Sequence, residues 1–422
     1  MLCRSWIRSP MCATPRYIGI SVRRRTSRRS WRKSLASEPA ARSTPPLDRL
    51  FDQHQDARWM GVAIAAAQRA EGRSAPNPPV GCAIIDKQGR LVAVGHTARG
   101  GRPHAETTAL AMAGDAARGG CAYVTLEPCA HVGQTPPCAE ALIAAGIARV
   151  VVAMRDPDPR VDGRGVDLLT KAGIVVREDV GADAASRVMA GFLHRTKQAR
   201  PFVTLKTATS LDGKIALGDG AKRWITGPRM RRFVHLQRSR CDAILTAIGT
   251  VLADDPALTC RLDGADGDHP ARFVLDSQLR TPLDSQLLAS LSDARVTIFC
   301  AGDADSGRAE ALRAAGADLQ PVSLDDKGKL SLDAVMAAIA AAGYGHLLIE
   351  AGGKLASSLL RANLVDSILW TSSAQIIGND GIPSVAELDL ANLPENKRFQ
   401  MVEEGHFGTD RFILMDRIVG SR

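Results

Sequence analysis

The sequence predicts an α/β protein of two domains, and three observations carry that prediction. Strand-like and helix-like stretches alternate along nearly the whole chain after residue 47, the pattern of layered α/β folds. A length of 422 residues is enough for two separate hydrophobic cores. Between Val180 and Arg200 the alternation softens into Gly181-Ala182-Asp183-Ala184-Ala185 and ends at Gln198-Ala199-Arg200-Pro201. The first domain is therefore expected over residues 47–197 and the second over residues 198–422.

Hydrophobic residues make up 45% of the chain and charged ones 23%, and no apolar run approaches the roughly 18 residues of a spanning helix. No membrane partner is expected. The formal charge of +9 suggests nucleic acid until it is divided. Residues 1–45 hold eleven Lys/Arg and a single acid, Glu38, whereas the remainder holds 43 basic and 44 acidic residues, a net of −1. The folded body thus gives no electrostatic reason for a nucleic-acid partner. Residues 1–46 are expected to be a disordered basic extension, dispensable or assigned to the chain by too early a start. The alternative for this Arg- and Ser-rich, acid-poor stretch is an organelle transit peptide. Nine cysteines, an odd number with two in the extension, make no disulfide framework without a secretory signal, so the cytoplasm is the expected compartment.

In the first domain, residues 56–70 place Trp59, Met60, Val62, Ala63, Ala66 and Ala67 at helical spacing, ending near Glu71-Gly72. Pro76 to Pro79 breaks the chain before short strands at 81–85 and 91–95, joined by the turn residues Asp86 to Gly89. A helix from His104, a strand at 122–126, a helix from Cys138, a strand at 149–154, a helix near 167–172 and a strand at 174–177 complete the alternation.

The chemistry gathers between His104 and Cys138. His104-Ala105-Glu106, Thr125-Leu126-Glu127-Pro128-Cys129-Ala130-His131 and Thr135-Pro136-Pro137-Cys138 supply one imidazole and two thiols, suited to one zinc ion per chain with an open fourth position. Zinc lowers the pKa of a coordinated water to roughly 7, and Glu106, two residues from His104, is placed to shuttle its protons to a leaving ammonia. His104 and Cys138 each open a predicted helix, where the dipole favours negative charge and where Pro103 and Pro136-Pro137 are tolerated. The plainer alternative is a structural zinc clip closed by His131, but such a clip leaves Glu106 without a purpose.

His-x-Glu with Pro-Cys and a second cysteine is the zinc nucleobase deaminase signature. The eight residues between Cys129 and Cys138, Ala-His-Val-Gly-Gln-Thr-Pro-Pro, resemble the pyrimidine deaminase of riboflavin biosynthesis. So do Pro76-Asn77-Pro78-Pro79-Val80-Gly81-Cys82 and Asp156-Pro157-Asp158-Pro159-Arg160-Val161-Asp162-Gly163-Arg164-Gly165. The resemblance implies a cytidine-deaminase-like three-layer domain, substrate contacts from Asn77 and His131, and a substrate-side loop at 156–165. The family commonly reads His-Pro-Asn-Pro-Asn-Val-Gly where this chain has Ala75-Pro76-Asn77-Pro78-Pro79-Val80-Gly81, so two contacts are altered.

The second domain opens with a strand at 201–206, and a helix is expected over 228–240. Residues 245–256 read as a buried strand running into a polar loop, the kind of place where α/β proteins hold ligands. A strand at 346–350 meets Ala351-Gly352-Gly353-Lys354 and then an amphipathic run, a turn that admits phosphate to a helix N-terminus. It is not the Gly-x-Gly-x-x-Gly dinucleotide fingerprint. No pair of groups here reads as a self-sufficient acid and base, which fits hydride transfer by a cofactor. The segments 205–214, Trp224-Ile225-Thr226, 243–261, Asp276-Ser277 and Glu350-Ala351-Gly352-Gly353 resemble the reductase of the same pathway, whose fold is similar to dihydrofolate reductase.

That resemblance implies NADPH. It puts Ala208, Trp224, Thr250, Asp254, Ser277, Gly352, Gly353, Lys354, Leu355, Ala356, Ser357 and Ser358 on the cofactor. Lys222, Arg238, Leu258, Arg261 and Glu350 fall on the substrate. Two arginines suit a phosphorylated substrate, although Arg238 also reads as a charge at a helix C-terminus. The chain as a whole resembles the bifunctional riboflavin deaminase–reductase family, typically bacterial. The expected activity is zinc-dependent deamination of a phosphoribosylated diaminopyrimidinone followed by NADPH-dependent reduction of its ribosyl chain, in a likewise expected homo-oligomer. Two rivals are a zinc deaminase of another nucleobase or nucleotide with a second domain that only binds ligand, and a nucleic-acid editing protein.

Overall fold

The computed structural model describes residues 53–418 apart from 131–135, 160, 219–222, 265–266 and 389–398. The basic extension and the expected substrate contacts His131 and Lys222 lie outside the described residues.

The first half builds α1 (Gln53–Ala67), β1 (Gly81–Ile85), β2 (Leu91–His96), α2 (Ala105–Ala113), β3 (Cys121–Val124), α3 (Cys138–Ala144), β4 (Arg149–Val152), α4 (Arg164–Lys171) and β5 (Val175–Arg177). Its strands form one sheet in the order β2-β1-β3-β4-β5, antiparallel about β1 and parallel from β3 to β5. Two glycines show where the helices lie. A Cβ on Gly81 would run into the Ala63 carbonyl of α1, and one on Gly95 into the Ala105 carbonyl of α2. Cys82, not Gly81, pairs with Gly95, so the two glycines face opposite sides and α1 and α2 cover opposite faces. The result is three layers around a core that includes Met60, Ala63, Ile84, Val151, Leu142 and Leu169. Asp56 of α1 is fully buried and accepts from Arg149 (2.7 and 2.8 Å), Arg177 (2.7 Å) and the Tyr123 hydroxyl (2.9 Å), tying α1 to β3, β4 and β5.

Where the sequence pattern softens, the chain forms two helices, α5 (Ala182–Val188) and α6 (Ala190–Gln198). Their apolar stripe is weak because α6 has no fully buried residue. Gly191 instead lets its backbone lie against that of Gly345 and His346.

The second half continues with β6 (Phe202–Thr209), β7 (Lys214–Leu217), α7 (Pro228–Arg240), β8 (Ala243–Ala247), α8 (Ile248–Asp254), β9 (Ala271–Leu275), α9 (Gln286–Ala289), β10 (Val296–Cys300), α10 (Ser306–Ala314), β11 (Asp318–Pro321), α11 (Leu332–Ala341), β12 (His346–Glu350), α12 (Gly353–Arg361), β13 (Ser367–Ser372), β14 (Gly381–Pro383), β15 (Phe399–Phe407) and β16 (Asp410–Arg417). One sheet runs β11-β10-β9-β8-β12-β6-β13-β16-β15, parallel from β11 to β13 and closed by the antiparallel hairpin of β15 and β16. The central strands are apolar runs because helices cover them, as parallel sheets require. Residues 248–254, expected as a polar loop, form α8, since Ile248 and Val251 are spaced to bury one side of a short helix.

Candidate active sites

In the first half, α2 begins at Ala105 with His104 at its N-cap, and α3 begins at Cys138 with Pro137 at its N-cap. The two helix starts and the segment after β3 meet at one point. His104 Nδ1 lies 3.3 Å from Cys138 Sγ and 3.7 Å from Cys129 Sγ, and the three ligand atoms fall within 4.8 Å of one another. Zinc bonds of roughly 2.0 Å to nitrogen and 2.3 Å to sulfur give a tetrahedral N-to-S edge of about 3.5 Å, so the donor set and its spacing fit that ion. The Cys138 N–H donates to Cys129 Sγ at 3.4 Å, drawing the loop's end onto α3. A hydrogen bond from Cys138 holds the Cys129 thiol down, and the same pairing pushes Cys138 up. His104 is raised, chiefly by its hydrogen bond to Cys129.

Glu106 is 4% exposed in the first turn of α2. Burial, and then the charge of Cys129, push its carboxyl up from the usual range. Asn77 is held by its own amide, which donates to the Gly101 carbonyl at 2.9 Å.

Glu127 was missed by sequence reasoning. It is 3% exposed and accepts four backbone N–H groups: Gly165 (2.8 Å) and Val166 (3.2 Å) on one oxygen, Gly163 (3.0 Å) and Asp156 (3.3 Å) on the other. The side chain two residues before Cys129 therefore sets the shape of the 156–166 loop. An acidic residue inside an apolar strand end was the available signal.

In the second half, several of the expected positions among the described residues lie at the carboxyl ends of the parallel strands, where open α/β sheets bind ligands. Thr250 and Asp254 lie on α8 after β8, Ser277 follows β9, Ala208 is near the end of β6, and Gly352 to Ser358 span the turn and start of α12 after β12. Gly352 is the N-cap of α12, with no side chain capping the first turn. The first-turn N–H groups of such a helix have no intrahelical acceptor, and with the exposed Lys354 they fit the phosphates of a dinucleotide. Gly353, Leu355, Ala356 and Ser357 are buried, so only their backbone faces the open end of the helix. Trp224 is exposed and stacks under the Arg231 guanidinium at 4.4 Å.

Arg238, read from sequence as either a substrate contact or a helix-end charge, is buried. It donates to both oxygens of Glu350, from Nε at 2.6 Å and Nη2 at 3.0 Å, and to the Thr259 carbonyl at 3.0 Å. Lys206 Nζ joins at 3.6 Å from Glu350, a residue that sequence reasoning passed over. Burial acts to raise Glu350, but Arg238 and Lys206 outweigh it and hold the carboxyl to about 2. Burial lowers Lys206, with Glu350 and Asp254 opposing. Leu258 is 2% exposed with its side chain in the apolar core and φ +53°, leaving only its backbone for a ligand. Arg261 is exposed and reaches Thr259 Oγ1 at 3.2 Å.

The RibD C-terminal domain family matches residues 201–410, and the cytidine and deoxycytidylate deaminase zinc-binding region matches residues 53–154. The riboflavin biosynthesis protein RibD of Escherichia coli (strain K12) is 40% identical over 368 residues, covering 84% of this chain and 98% of its own. The chain belongs to the RibD family. Its counterpart from Aquifex aeolicus is 35% identical, with 86% of this chain and 98% of the relative covered. Acinetobacter baumannii RibD superposes with a TM-score of 0.77 at 34% identity, over 87% of this chain and 100% of the other. The deaminase/reductase from Thermotoga maritima gives 0.75 at 31%, over 87% and 99%. RibD proteins are bifunctional, and this chain is accordingly a deaminase and reductase of riboflavin biosynthesis, with a zinc-binding domain and an NADPH-using one. Among the described residues no helix is long and apolar enough to cross a membrane.

Proposed function

We propose that residues 47–197 deaminate 2,5-diamino-6-(5-phosphoribosylamino)pyrimidin-4(3H)-one and that residues 198–422 reduce the product to 5-amino-6-(5-phosphoribitylamino)uracil. The observation that carries this is the pairing, in one chain, of the His104–Cys129–Cys138 cluster beside a buried Glu106 with the buried Lys206–Glu350–Arg238 cluster.

In the deaminase, His104, Cys129 and Cys138 would hold zinc, which would supply the Lewis acidity that makes a water nucleophilic near neutral pH. Glu106 is placed to take a proton from the attacking water and pass it on, so that the ring carbon gains oxygen, one water proton goes to the ring nitrogen, the other to the amino nitrogen, and ammonia leaves. Asn77 and His131 read the pyrimidine edge. Glu127 holds the backbone of Gly163 and Gly165 in the loop that the family resemblance puts on the substrate side.

In the reductase, bound NADPH would supply a hydride for the sugar's C1′, and the ring oxygen released from that carbon must gain a proton. Lys206, buried beside Glu350, is the acid that gives it, while Glu350 and Arg238 orient its ammonium. Arg261, with Lys222 and the Leu258 backbone, grips the phosphorylated substrate. Ala208, Trp224, Thr250, Asp254, Ser277 and the stretch 352–358 hold the cofactor. The substrate is a small molecule, the compartment the cytoplasm and the assembly a homo-oligomer.

The test is zinc content, ammonia release and NADPH oxidation on purified protein given the diaminopyrimidine ribotide. Zinc near one per chain, with ammonia release preceding oxidation, is the expected result. Ammonia without oxidation would reduce the second half to a ligand-binding domain.

A further inference from the structure

The turn Glu71-Gly72-Arg73 reaches from the first domain onto the second, and each of its residues touches a different part. Arg73 pairs with Asp268, whose carboxylate also takes Arg99, and Arg99 Nη1 donates to the Gly267 carbonyl at 3.0 Å. The Asp268 side chain is 5% exposed, so two guanidinium groups of the other domain neutralise it. Gly72, at φ +68°, lies against the carbonyls of Ser239 and Cys241 at the end of α7, where a Cβ would collide. Glu71 stands 3.9 Å from Arg240.

Behind these contacts lie the elements that carry the reductase arginines. His269, next to Asp268, accepts the Cys260 N–H on Nδ1 at 3.2 Å, and His235 Nδ1 accepts the Arg261 N–H at 3.2 Å. Arg238, three residues before Cys241, holds the Thr259 carbonyl. The backbone at 259–261 is thus gripped from three sides, and one grip follows directly on the residue that the first domain clamps.

We infer that Asp268 is a positioning residue for the reductase: the deaminase domain, through Arg73 and Arg99, fixes Asp268 and His269 and so sets Arg261. The reductase's substrate site is completed by the other domain. This rests on the reading of Arg261 as a substrate contact. The clamp also adjoins the deaminase site, because the Gly100 N–H donates to the Arg73 carbonyl at 2.8 Å and the Gly101 carbonyl accepts from Asn77.

The test uses full-length, zinc-loaded protein carrying Asp268→Asn, Asp268→Glu, or Arg73→Gln with Arg99→Gln. KM and kcat are measured for NADPH oxidation with the deaminated ribotide, alongside the KM for NADPH and the rate of ammonia release. Losing a charge-assisted contact predicts a ribotide KM raised about tenfold in Asp268→Asn and in the arginine double variant. In Asp268→Asn the KM for NADPH and ammonia release stay near the parent values, and Asp268→Glu restores most of the ribotide affinity. An unchanged ribotide KM in folded Asp268→Asn would overturn the inference. So would an equal rise in both reductase KM values together with slower ammonia release, the mark of general loosening. Arg261→Ala, read on the same ribotide KM, checks the underlying reading separately; an unchanged KM there overturns both.

Discussion

Lys206 and Glu350 are register partners on the neighbouring parallel strands β6 and β12, and their charged groups meet at 3.6 Å with side chains only 13% and 11% exposed. Two opposite charges at the carboxyl edge of a sheet, with Arg238 completing the group, form a site whose protonation is set by its own members. Glu350 is the shared counter-charge of Arg238 and Lys206, with Arg238 on both of its oxygens and Lys206 beside one.

Lys206→Met keeps the length of the side chain and removes the proton. The Arg238–Glu350 pair persists, so the protein stays folded. NADPH oxidation on the deaminated ribotide should fall by about 10²-fold or more, the usual contribution of a positioned acid, while ammonia release is unchanged. Single-turnover oxidation at saturating NADPH measures it, and a rate within twofold of the parent would remove Lys206 from the chemistry.

Glu350→Gln leaves Arg238 and Lys206 buried without their counter-charge, which should cost about 3–5 kcal/mol at neutral pH. The sign of the pH dependence follows from Glu350's folded value of about 2 against an ordinary 4.5. A depressed carboxyl contributes stability that is fully present above 4.5 and is lost as pH falls through 2. The gap between parent and variant in urea unfolding should therefore be widest near neutrality and narrow below pH 4.5. A gap of constant size down to pH 2.5 would show that Glu350 is not held ionised.

Chelation of the metal should abolish ammonia release and spare NADPH oxidation on the deaminated intermediate, since the two clusters share no residue. Glu106→Gln separates binding from chemistry in the same site. Its zinc content should match the parent's, with ammonia release down by about 10²–10⁴-fold. Cobalt substitution gives an independent readout, because thiolate-to-cobalt absorption reports Cys129 and Cys138 without any turnover.

Much of this was legible in the sequence because short-range spacing carries it. His104 and Glu106 fall on one helix start, Cys138 on another, and the turn at Gly352 and Gly353 sits between β12 and α12 as the residue pattern suggested. What was hidden depends on pairings across the fold. Lys206 reads as an ordinary charge in a strand until register sets it beside Glu350. Arg238 reads from sequence as a substrate contact, with a helix-end charge as the alternative, and its buried pair with Glu350 follows from no local pattern. Asp268 and its two arginines lie in different domains, and no local pattern links them. Helices α5 and α6 escaped for a different reason: they bury too little for a hydrophobic stripe.

Glu127 supplies the last prediction, because one carboxylate there organises a loop with four N–H groups and no competing donor side chain among those contacts. Glu127→Gln is nearly isosteric, yet its amide can present only one acceptor oxygen. Its NH₂ must face either Gly165 and Val166 or Gly163 and Asp156, setting donor against donor. Hydrogen bonds to a charged group are worth roughly 1.5–3 kcal/mol, so stability should fall by about that much. Zinc is held by other residues, and the metal content should stay at the parent level. The cost falls on the 156–166 loop: the deaminase KM should rise with a smaller change in kcat, and backbone amide exchange at Gly163, Gly165 and Val166 should accelerate. If exchange quickens but KM does not move, Glu127 supports the loop while the loop itself makes no contact with substrate.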